Sequence, residues 1–319
     1  AGKFVVSYRD EGNSGYGKAC VGTISGTSIS FGSEYTFNTA SSYSTSISFD
    51  PNTSGKFVLA YVDGGNSFYG TVVVGTVSGT SITFGSGVIF NTGAVYGLEV
   101  AVDPNTANKF VVAYLDNGNS GYGTAIVGTV SGTTASFGSE VVFNAANIEW
   151  LSLSFDPNTA NKCVVIYRDD GNSSYGTAIV GTVSGTGISF GSEAVFNSGT
   201  TNQTSLSFDS NTAGKFIVTY QDTSNSLFGA AVVGTVSGTS ITFGSEYIFN
   251  SATVQYGKAA FNPNIANKFA VAYQDWGNSY YGTINVGTVS GTTLSFGSKS
   301  VYNAGNSTYN PIDFDPNTA

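Results

Sequence analysis

The chain has 319 residues, of which 10% are charged, and its formal net charge is −9. Such an acidic surface disfavours nucleic acid as a partner, because phosphate backbones bind basic surfaces. No apolar run approaches the roughly 20 residues of a membrane span, so membrane insertion is not expected. The sequence contains no histidine, which removes the commonest general base and every Ser-His or Cys-His catalytic arrangement.

The N-terminus does not resemble a secretion signal. Because the chain starts with Ala1 rather than methionine, we expect it to be a processed or excised part of a longer protein.

One segment recurs along the whole chain with a constant period. The lysine that opens the second predicted strand of each copy returns every 53 residues, at Lys3, Lys56, Lys109, Lys162, Lys215 and Lys268. Six periods account for all but one of the residues. A fold built from six copies of one supersecondary unit is therefore predicted.

Each copy contains four segments with strand character, separated by turn residues. In copy 98–144 they are LEVAVD, KFVVAYLD, GTAIVGTV and TASFGSEVVFN. Asp103 and Pro104 suit the first two positions of a tight turn, and Ser131 to Thr133 suit a second turn. Gly138 predicts a bulge or a close approach within the fourth strand. No segment has helical periodicity.

A four-stranded unit of this length, repeated between four and eight times, is typical of a β-propeller. We predict an all-β, six-bladed β-propeller with four antiparallel strands per blade, forming a single domain over residues 1–319. The predicted blades cover residues 45–91, 98–144, 151–197, 204–250 and 257–303, and the sixth combines residues 309–319 with 1–38.

The split blade would close the ring. Its inner strand is predicted near Tyr309 to Asp315, and its other three strands come from residues 3 to 38. Pairing the N-terminal and C-terminal strands would leave no long free edge. Segments such as NTASSY at residues 38–43 are predicted to cross from the outer strand of one blade to the inner strand of the next.

The two cysteines, Cys20 and Cys163, stand where other copies have apolar residues. They are predicted on opposite blades, so we expect two buried thiols and no disulfide.

Every copy also carries Tyr-x-Asp followed by Asn-Ser and an aromatic-Gly pair, as at Tyr8, Asp10 and residues 13–17. One interpretation is six equivalent ligand or Ca²⁺ sites. Calcium loops gather several carboxylates, whereas this turn has one fixed Asp. We favour a structural role in which the Asp caps a turn. No metal and no cofactor are expected, and the repeated lysines are expected to form a solvated rim.

Variation between copies is concentrated on one predicted face. The DPNT and SGT turns hardly change, whereas the crossings read SSYST, AVYGL, NIEWL, TTNQT, TVQYG and NSTYN. Two positions of the loop between strands two and three vary as well. In a propeller these crossings and loops emerge together, so one face is predicted to be a constant scaffold and the other a variable face.

Large aromatic residues on the variable face lie beside polar and charged ones. This mixture suits recognition of a sugar or of a protein surface. Neutral drift of exposed loops is the alternative, but drift would be expected to produce mostly polar loops. The candidate ligand-binding residues are Trp150, Trp276, Glu149, Tyr43, Tyr96, Tyr256, Tyr280, Tyr309, Phe68, Arg9, Arg168, Lys258 and Glu99.

We do not expect an enzyme. Six-bladed sialidases resemble the predicted architecture but hold a substrate carboxylate with three arginines, whereas this chain has two, Arg9 and Arg168. Glycosidases need two carboxylates about 5–10 Å apart, and Glu99, Glu149 and Asp313 are predicted on three different blades. A carboxylate pair across the central channel is the remaining alternative. It predicts turnover that is abolished by changing one of these three acids.

The GTVSGTSITFGSE and FDPNT segments resemble repeats in large surface and fibre-type proteins of marine bacteria and their phages, and this resemblance covers all six copies. The architecture is similar to six-bladed fungal and bacterial lectins. Those lectins use Arg, Glu and Trp in every pocket, a set that is not repeated here, so fucose specificity is not carried over.

The resemblance implies an attachment module on an extracellular, cell or virion surface, with a cell-surface glycan or protein receptor as partner. A structural module that contacts neighbouring subunits is the alternative.

Overall fold

The computed structural model describes residues 2–314, and strands dominate it, which confirms the all-β prediction. Two compact units are present. The first comprises the residues up to Asn147 together with Val183–Ile188, and the second comprises Ile148–Thr182 and the residues from Ser189 onward.

The strands follow the 53-residue period. In chain order they are β1 Lys3–Asp10, β2 Tyr16–Ser25, β3 Ser28–Phe49, β4 Lys56–Asp63, β5 Tyr69–Ser78, β6 Ser81–Phe84, β7 Val88–Val102, β8 Lys109–Asp116, β9 Tyr122–Ser131, β10 Thr134–Phe137, β11 Val141–Phe155, β12 Lys162–Asp169, β13 Tyr175–Ser184, β14 Gly187–Phe190, β15 Ala194–Phe208, β16 Lys215–Asp222, β17 Phe228–Ser237, β18 Ser240–Phe243, β19 Tyr247–Phe261, β20 Lys268–Asp275, β21 Tyr281–Ser290, β22 Thr293–Phe296 and β23 Ser300–Asn306. One-turn 3-10 helices lie at Glu11–Asn13, Asn117–Asn119, Asp170–Asn172, Thr223–Asn225 and Trp276–Asn278.

Each complete copy forms a four-stranded antiparallel sheet. The end of β7 pairs with β8, which pairs with β9. On its other side, β9 pairs with β10 and then with the start of β11. The break between β10 and β11 contains Gly138, where a Cβ atom would lie 1.8 Å from the Thr186 carbonyl oxygen. The predicted close approach at this glycine is therefore confirmed.

The crossings differ from the prediction, because they are not loops. They are continuous strands that leave one sheet and join the next. Residue Ala94 of β7 pairs with Tyr69 in one sheet, and the following Val95 pairs with Asp116 in the next. The crossing backbone therefore keeps its hydrogen bonds by changing partners, which sequence composition does not reveal.

The predicted ring-closing pair is absent among the described residues. Strand β1 pairs with β2, and residues 307–314 contain no strand, so the inner strand predicted near Tyr309 is not formed there. Asp315 lies outside the described residues. Pro311 occupies the repeat position of Ser46, which pairs with Ala60 in a complete sheet. Proline has no backbone N–H, so it cannot donate to the ladder at that position.

The core of each unit depends on a repeated contact between a phenylalanine of the second strand and a glycine of the third. A Cβ atom on Gly128 would lie 2.0 Å from the Phe110 ring, and one on Gly234 would lie 2.1 Å from the Phe216 ring. Both phenylalanines are fully buried. Cys20 and Cys163 are free and buried, as predicted.

The constant turns connect neighbouring copies. The Asp50 carboxylate accepts from the Asn108 amide at 3.0 Å. The Lys56 ammonium donates to the carbonyl oxygen of Gly132 at 2.9 Å. This hydrogen bond is exposed, as expected for a lysine at a rim, and it also binds the charged end of the lysine to the turn of the next copy.

Candidate functional site

The invariant Tyr-x-Asp segment supports the loop between strands two and three. The Asp63 carboxylate accepts from the Gly65 amide at 3.0 Å, and Asp169 does the same with Gly171. In the first copy, the hydrogen bond from Lys18 holds the pKa of the Asp10 carboxyl below its usual value. The turn-capping role is confirmed. Residues 2–314 contain no group of three His, Cys, Asp or Glu side chains suited to a metal ion.

The two variable segments lie against each other in both units. In the first unit, the Val95 amide of a crossing donates to the Phe68 carbonyl of a loop at 2.9 Å. In the second unit, the Val254 amide donates to the Leu227 carbonyl at 3.0 Å. The sequence prediction that crossings and loops emerge together is therefore confirmed within each unit.

A left-handed residue marks the bend of every crossing. The bend positions, each with a positive φ between 45° and 55°, are Ser44, Gly97, Trp150, Gln203, Tyr256 and Tyr309. Gly97 adopts this conformation freely, whereas side chains with a Cβ atom are strained there by about 1–2 kcal/mol. Trp150 and Tyr309 are nevertheless exposed to 44% and 77%. Large aromatic groups thus occupy a position that favours glycine.

The loop between strands two and three also has a variable position with a left-handed backbone, directly after a serine that is left-handed in every copy. It is occupied by Gly15, Phe68, Gly121, Ser174, Leu227 and Tyr280, with φ between 59° and 77°. Two copies keep the favoured glycine. Others carry Phe68 or Tyr280, which are exposed to 38% and 45%.

The residue before each bend faces a residue of the next strand, and the pair changes chemistry from copy to copy. Tyr43 faces Val62, and Tyr96 faces Leu115, which are apolar pairs. Glu149 faces Arg168, which is an ion pair. The remaining two, Asn202 facing Gln221 and Gln255 facing Gln274, are amide pairs. Cross-strand neighbours contact directly, so the crossings present three kinds of surface: apolar, ionic and amide.

Arg168 is the centre of a polar network in the second unit. Its guanidinium lies 2.8 Å from the Glu149 carboxylate and 2.7 Å from the Asp170 carboxylate. It also donates to the Asn202 side chain at 2.8 Å. Two carboxylates against one guanidinium give the group excess negative charge. Such a site provides many hydrogen-bond acceptors for hydroxyl groups and disfavours anions.

Trp150 directly follows Glu149 at the bend, and its carbonyl oxygen accepts from the Thr204 hydroxyl. Further along the second unit, the Trp276 indole donates to Gln274 at 2.8 Å and packs edge-to-face on Tyr280, with ring centroids 5.0 Å apart. Tyr256 and Tyr309, at successive bends, have centroids 4.7 Å apart.

In the first unit, a row of four side chains runs across the variable face. The Arg9 guanidinium carbon lies 4.2 Å from the centroid of the Tyr43 ring. Tyr43 and Phe68 have ring centroids 5.8 Å apart, and Phe68 and Tyr96 are separated by 6.3 Å.

Two predicted site residues lie away from these groups. Glu99 and Lys258 each stand two residues beyond a bend, on the inner part of a strand, and the Ser46 hydroxyl donates to Glu99 at 2.8 Å. Conversely, Asp170 and Asn202 were missing from the predicted site. Both occupy variable positions, which was the available signal, but their common partner Arg168 could not be foreseen.

No family model matches the sequence, and no curated protein matches it. The resemblance to proteins of marine bacteria and phages therefore stays a prediction. Among residues 2–314, no helix is long and apolar enough to cross a membrane.

Solved structures resemble the chain in fold. AofleA from Arthrobotrys oligospora aligns with a TM-score of 0.54 at 9% identity, over 95% of this chain and 87% of that chain. Sqt1 from Chaetomium thermophilum gives 0.53 at 12% identity, over 93% and 82%. The NanB sialidase from Streptococcus pneumoniae gives 0.53 at 12% identity, over 86% and 62%. At these identities the likeness concerns the fold alone, which is a propeller-like all-β architecture.

Proposed function

We propose that this protein is a non-catalytic, six-bladed β-propeller whose variable face binds a cell-surface glycan or receptor, as part of a larger extracellular or virion surface protein. The six 53-residue copies and their four-stranded sheets support the blade count. A variant of AofleA with three arginine-to-alanine substitutions carries them 53 positions apart, which is the period of this chain.

Closure of the ring belongs to the same proposal. Ile29 is 58% exposed in the first copy, whereas its equivalent Ile82 is 3% exposed. Ile82 packs in one cluster with Ala19 and Val21 of the preceding copy, and a closed ring would give Ile29 a preceding copy to pack against. Deleting residues 310–319 should then lower the urea midpoint of unfolding, and an unchanged midpoint would contradict closure.

The observation that carries the binding proposal is the strained aromatic bend. Trp150 holds a left-handed backbone while its side chain remains 44% exposed, at a position where another copy has Gly97. Neutral drift would replace Trp150, because its backbone strain is not offset by burial of the side chain. Strained backbone positions cluster at functional sites, and an exposed indole beside Glu149 and Arg168 offers a stacking face together with hydrogen-bonding groups.

Absence of catalysis is supported by the surroundings of the acids. Glu149 and Asp170 both contact Arg168, so this pair of carboxylates is held by a cation. The chain has only two arginines, Arg9 and Arg168, whereas six-bladed sialidases hold the substrate carboxylate with three.

A broad glycan array tests the binding proposal. Wild-type protein should bind defined glycans, and the Trp150→Ala/Trp276→Ala variant should lose them. Ile265→Ala is the matched control, because Ile265 is an exposed apolar residue of the constant turn. Loss of binding in the control variant, or retention in the double tryptophan variant, would contradict a site on the variable face. If no glycan binds, recognition of a glycan by the variable face is contradicted, and a protein receptor or a neighbouring subunit is the next partner to test.

A further inference from the structure

A second surface of different chemistry lies in the first unit. It consists of Arg9, Tyr43, Phe68 and Tyr96, called the aromatic row below. Its three rings are in contact, with centroid separations of 5.8 Å and 6.3 Å. The planes of neighbouring rings are inclined by 39° and 31°, so the rings face broadly the same way. The rings are tilted against one another rather than packed edge-to-face, and Tyr43 lies partly buried against the core, beneath Phe68 and Arg9.

The row is assembled from separate segments of the chain. Tyr43 and Tyr96 stand at corresponding positions of successive crossings, and Phe68 lies in the loop between them. Phe68 and Tyr96 remain 38% and 48% exposed, so the contacts between the rings do not bury them. Other copies have Gly121 or Ser174 in place of Phe68, and Glu149 or Asn202 in place of Tyr96. The fold therefore does not require aromatic residues at these positions.

The backbone of Phe68 supports a role beyond packing. Its φ is 61°, in the left-handed region, where Gly15 and Gly121 are found in neighbouring copies. A phenylalanine there is strained, and it gains neither full burial nor a polar partner that would offset the strain.

The charges of the row indicate what it binds. The Arg9 guanidinium, stacked on Tyr43, lies 3.1 Å from the Glu11 carboxylate, so the only cation of the row has an anion beside it. The whole chain carries a net charge of −9, which repels acidic polymers. A neutral ligand with flat apolar faces fits this surface.

We propose that the aromatic row is a separate binding subsite for a neutral polysaccharide, with the C–H faces of pyranose rings stacked on the exposed rings of Phe68 and Tyr96, which Tyr43 supports. This inference rests on the proposed glycan-binding function and extends it. The chain then has two kinds of site, a platform for a neutral sugar chain in the first unit and the Arg168 network in the second.

Affinity electrophoresis in native gels tests the subsite. The gels contain hydroxyethyl cellulose, galactomannan or glycogen as neutral probes, alginate as an acidic probe, or poly-L-proline as a peptide probe. Wild-type protein should be retarded by at least one neutral polysaccharide. The Phe68→Gly/Tyr96→Asn variant, built from residues of other copies, should lose about tenfold or more in affinity.

Leu227→Gly is the matched control, because it makes the corresponding loop change in the second unit and should keep the wild-type retardation. Thermal unfolding of each variant shows that it is folded. Equal retardation of the wild type and the row variant would overturn the subsite while leaving the array result for Trp150 and Trp276 intact. Retardation by alginate or poly-L-proline alone would overturn the assignment to a neutral polysaccharide. If no saccharide binds in the gels or on the array, the subsite and glycan recognition by the variable face are both contradicted.

Discussion

Glu149 and Arg168 face each other on adjacent strands, and the carboxylate of one lies 2.8 Å from the guanidinium of the other. The equivalent residues two copies later are Gln255 and Gln274, an amide pair in the same register. The same backbone register thus accepts an ion pair or an amide pair, so replacing one pair by the other should leave the sheet unchanged.

This relationship predicts a double-mutant cycle. Arg168→Gln alone removes the only guanidinium beside Glu149 and Asp170 and should lower the free energy of unfolding by about 1 kcal/mol. Because Glu149 is well exposed, solvent screens the ion pair. The coupling energy with Glu149→Gln should therefore be about 0.5–1 kcal/mol. Urea unfolding of the two single variants and the double variant measures it, and a coupling energy of zero would show that the pair is not energetically linked.

The left-handed loop position predicts a reversal of the usual ranking of Ala and Gly. At Leu227, with φ of 64°, the Gly variant should be more stable than the Ala variant by about 1 kcal/mol. Urea midpoints compare the two. The same substitutions at Thr223, which starts a 3-10 helix, serve as the control and should favour Ala. Equal stability of the Leu227 variants would argue against strain at this position.

The close approach of the Thr186 carbonyl oxygen to Gly138 predicts that one added methyl group has a large effect on stability. A Cβ atom there would lie 1.8 Å from the Thr186 carbonyl oxygen, so Gly138→Ala should destabilise the protein by about 2–3 kcal/mol. Gly187→Ala is the control, because its Cβ atom would meet its nearest neighbour at 3.6 Å. Thermal unfolding should show a clearly lowered midpoint for the first variant and little change for the second.

Asp50 predicts acid sensitivity. Burial acts to raise the pKa of this carboxyl, but hydrogen bonds from the Asn52 and Asn108 amides outweigh it, and the net pKa is lowered. A lowered folded-state pKa means that the stabilising contribution is present above the unfolded value of 3.8. It is lost as the pH falls through the folded-state value.

Asp50→Asn should therefore cost about 1–2 kcal/mol at neutral pH. The variant should also lose less stability than the wild type when the pH is lowered to about 3. Asn262 already occupies this position in the fifth copy, so the substitution is compatible with the turn. Urea unfolding at both pH values checks the prediction, and parallel acid dependence in the two proteins would contradict it.

The sequence was sufficient to predict the strands, the constant turns and the close approach at Gly138, because these depend on local alternation and turn chemistry repeated six times. The sequence does not predict that the crossings are strands. Residues such as SSYST have no strand pattern, and their hydrogen bonds come from two different sheets. Pairing partners that are distant in sequence supply that structure.

The site was predicted as a surface rather than as a set of contacts. Variation between copies identified Glu149 and Arg168, but not that the two residues are paired in register. Asn202 contacts Arg168 from a crossing 34 residues later, and no periodicity in the sequence links those two residues. The left-handed backbone at the bend was not predicted either, although the glycine that one copy has there, Gly97, was a signal for it.

The most direct test of the central claim is glycan binding by the Glu149→Gln/Arg168→Gln variant, measured on the same array as the wild type. The double substitution reproduces the amide pair of another copy, so the fold should be kept, which thermal unfolding verifies. If the variable face recognises its ligand through this pair, the wild type binds and the folded variant does not. Identical binding profiles, or a wild type that binds no glycan, would contradict the account.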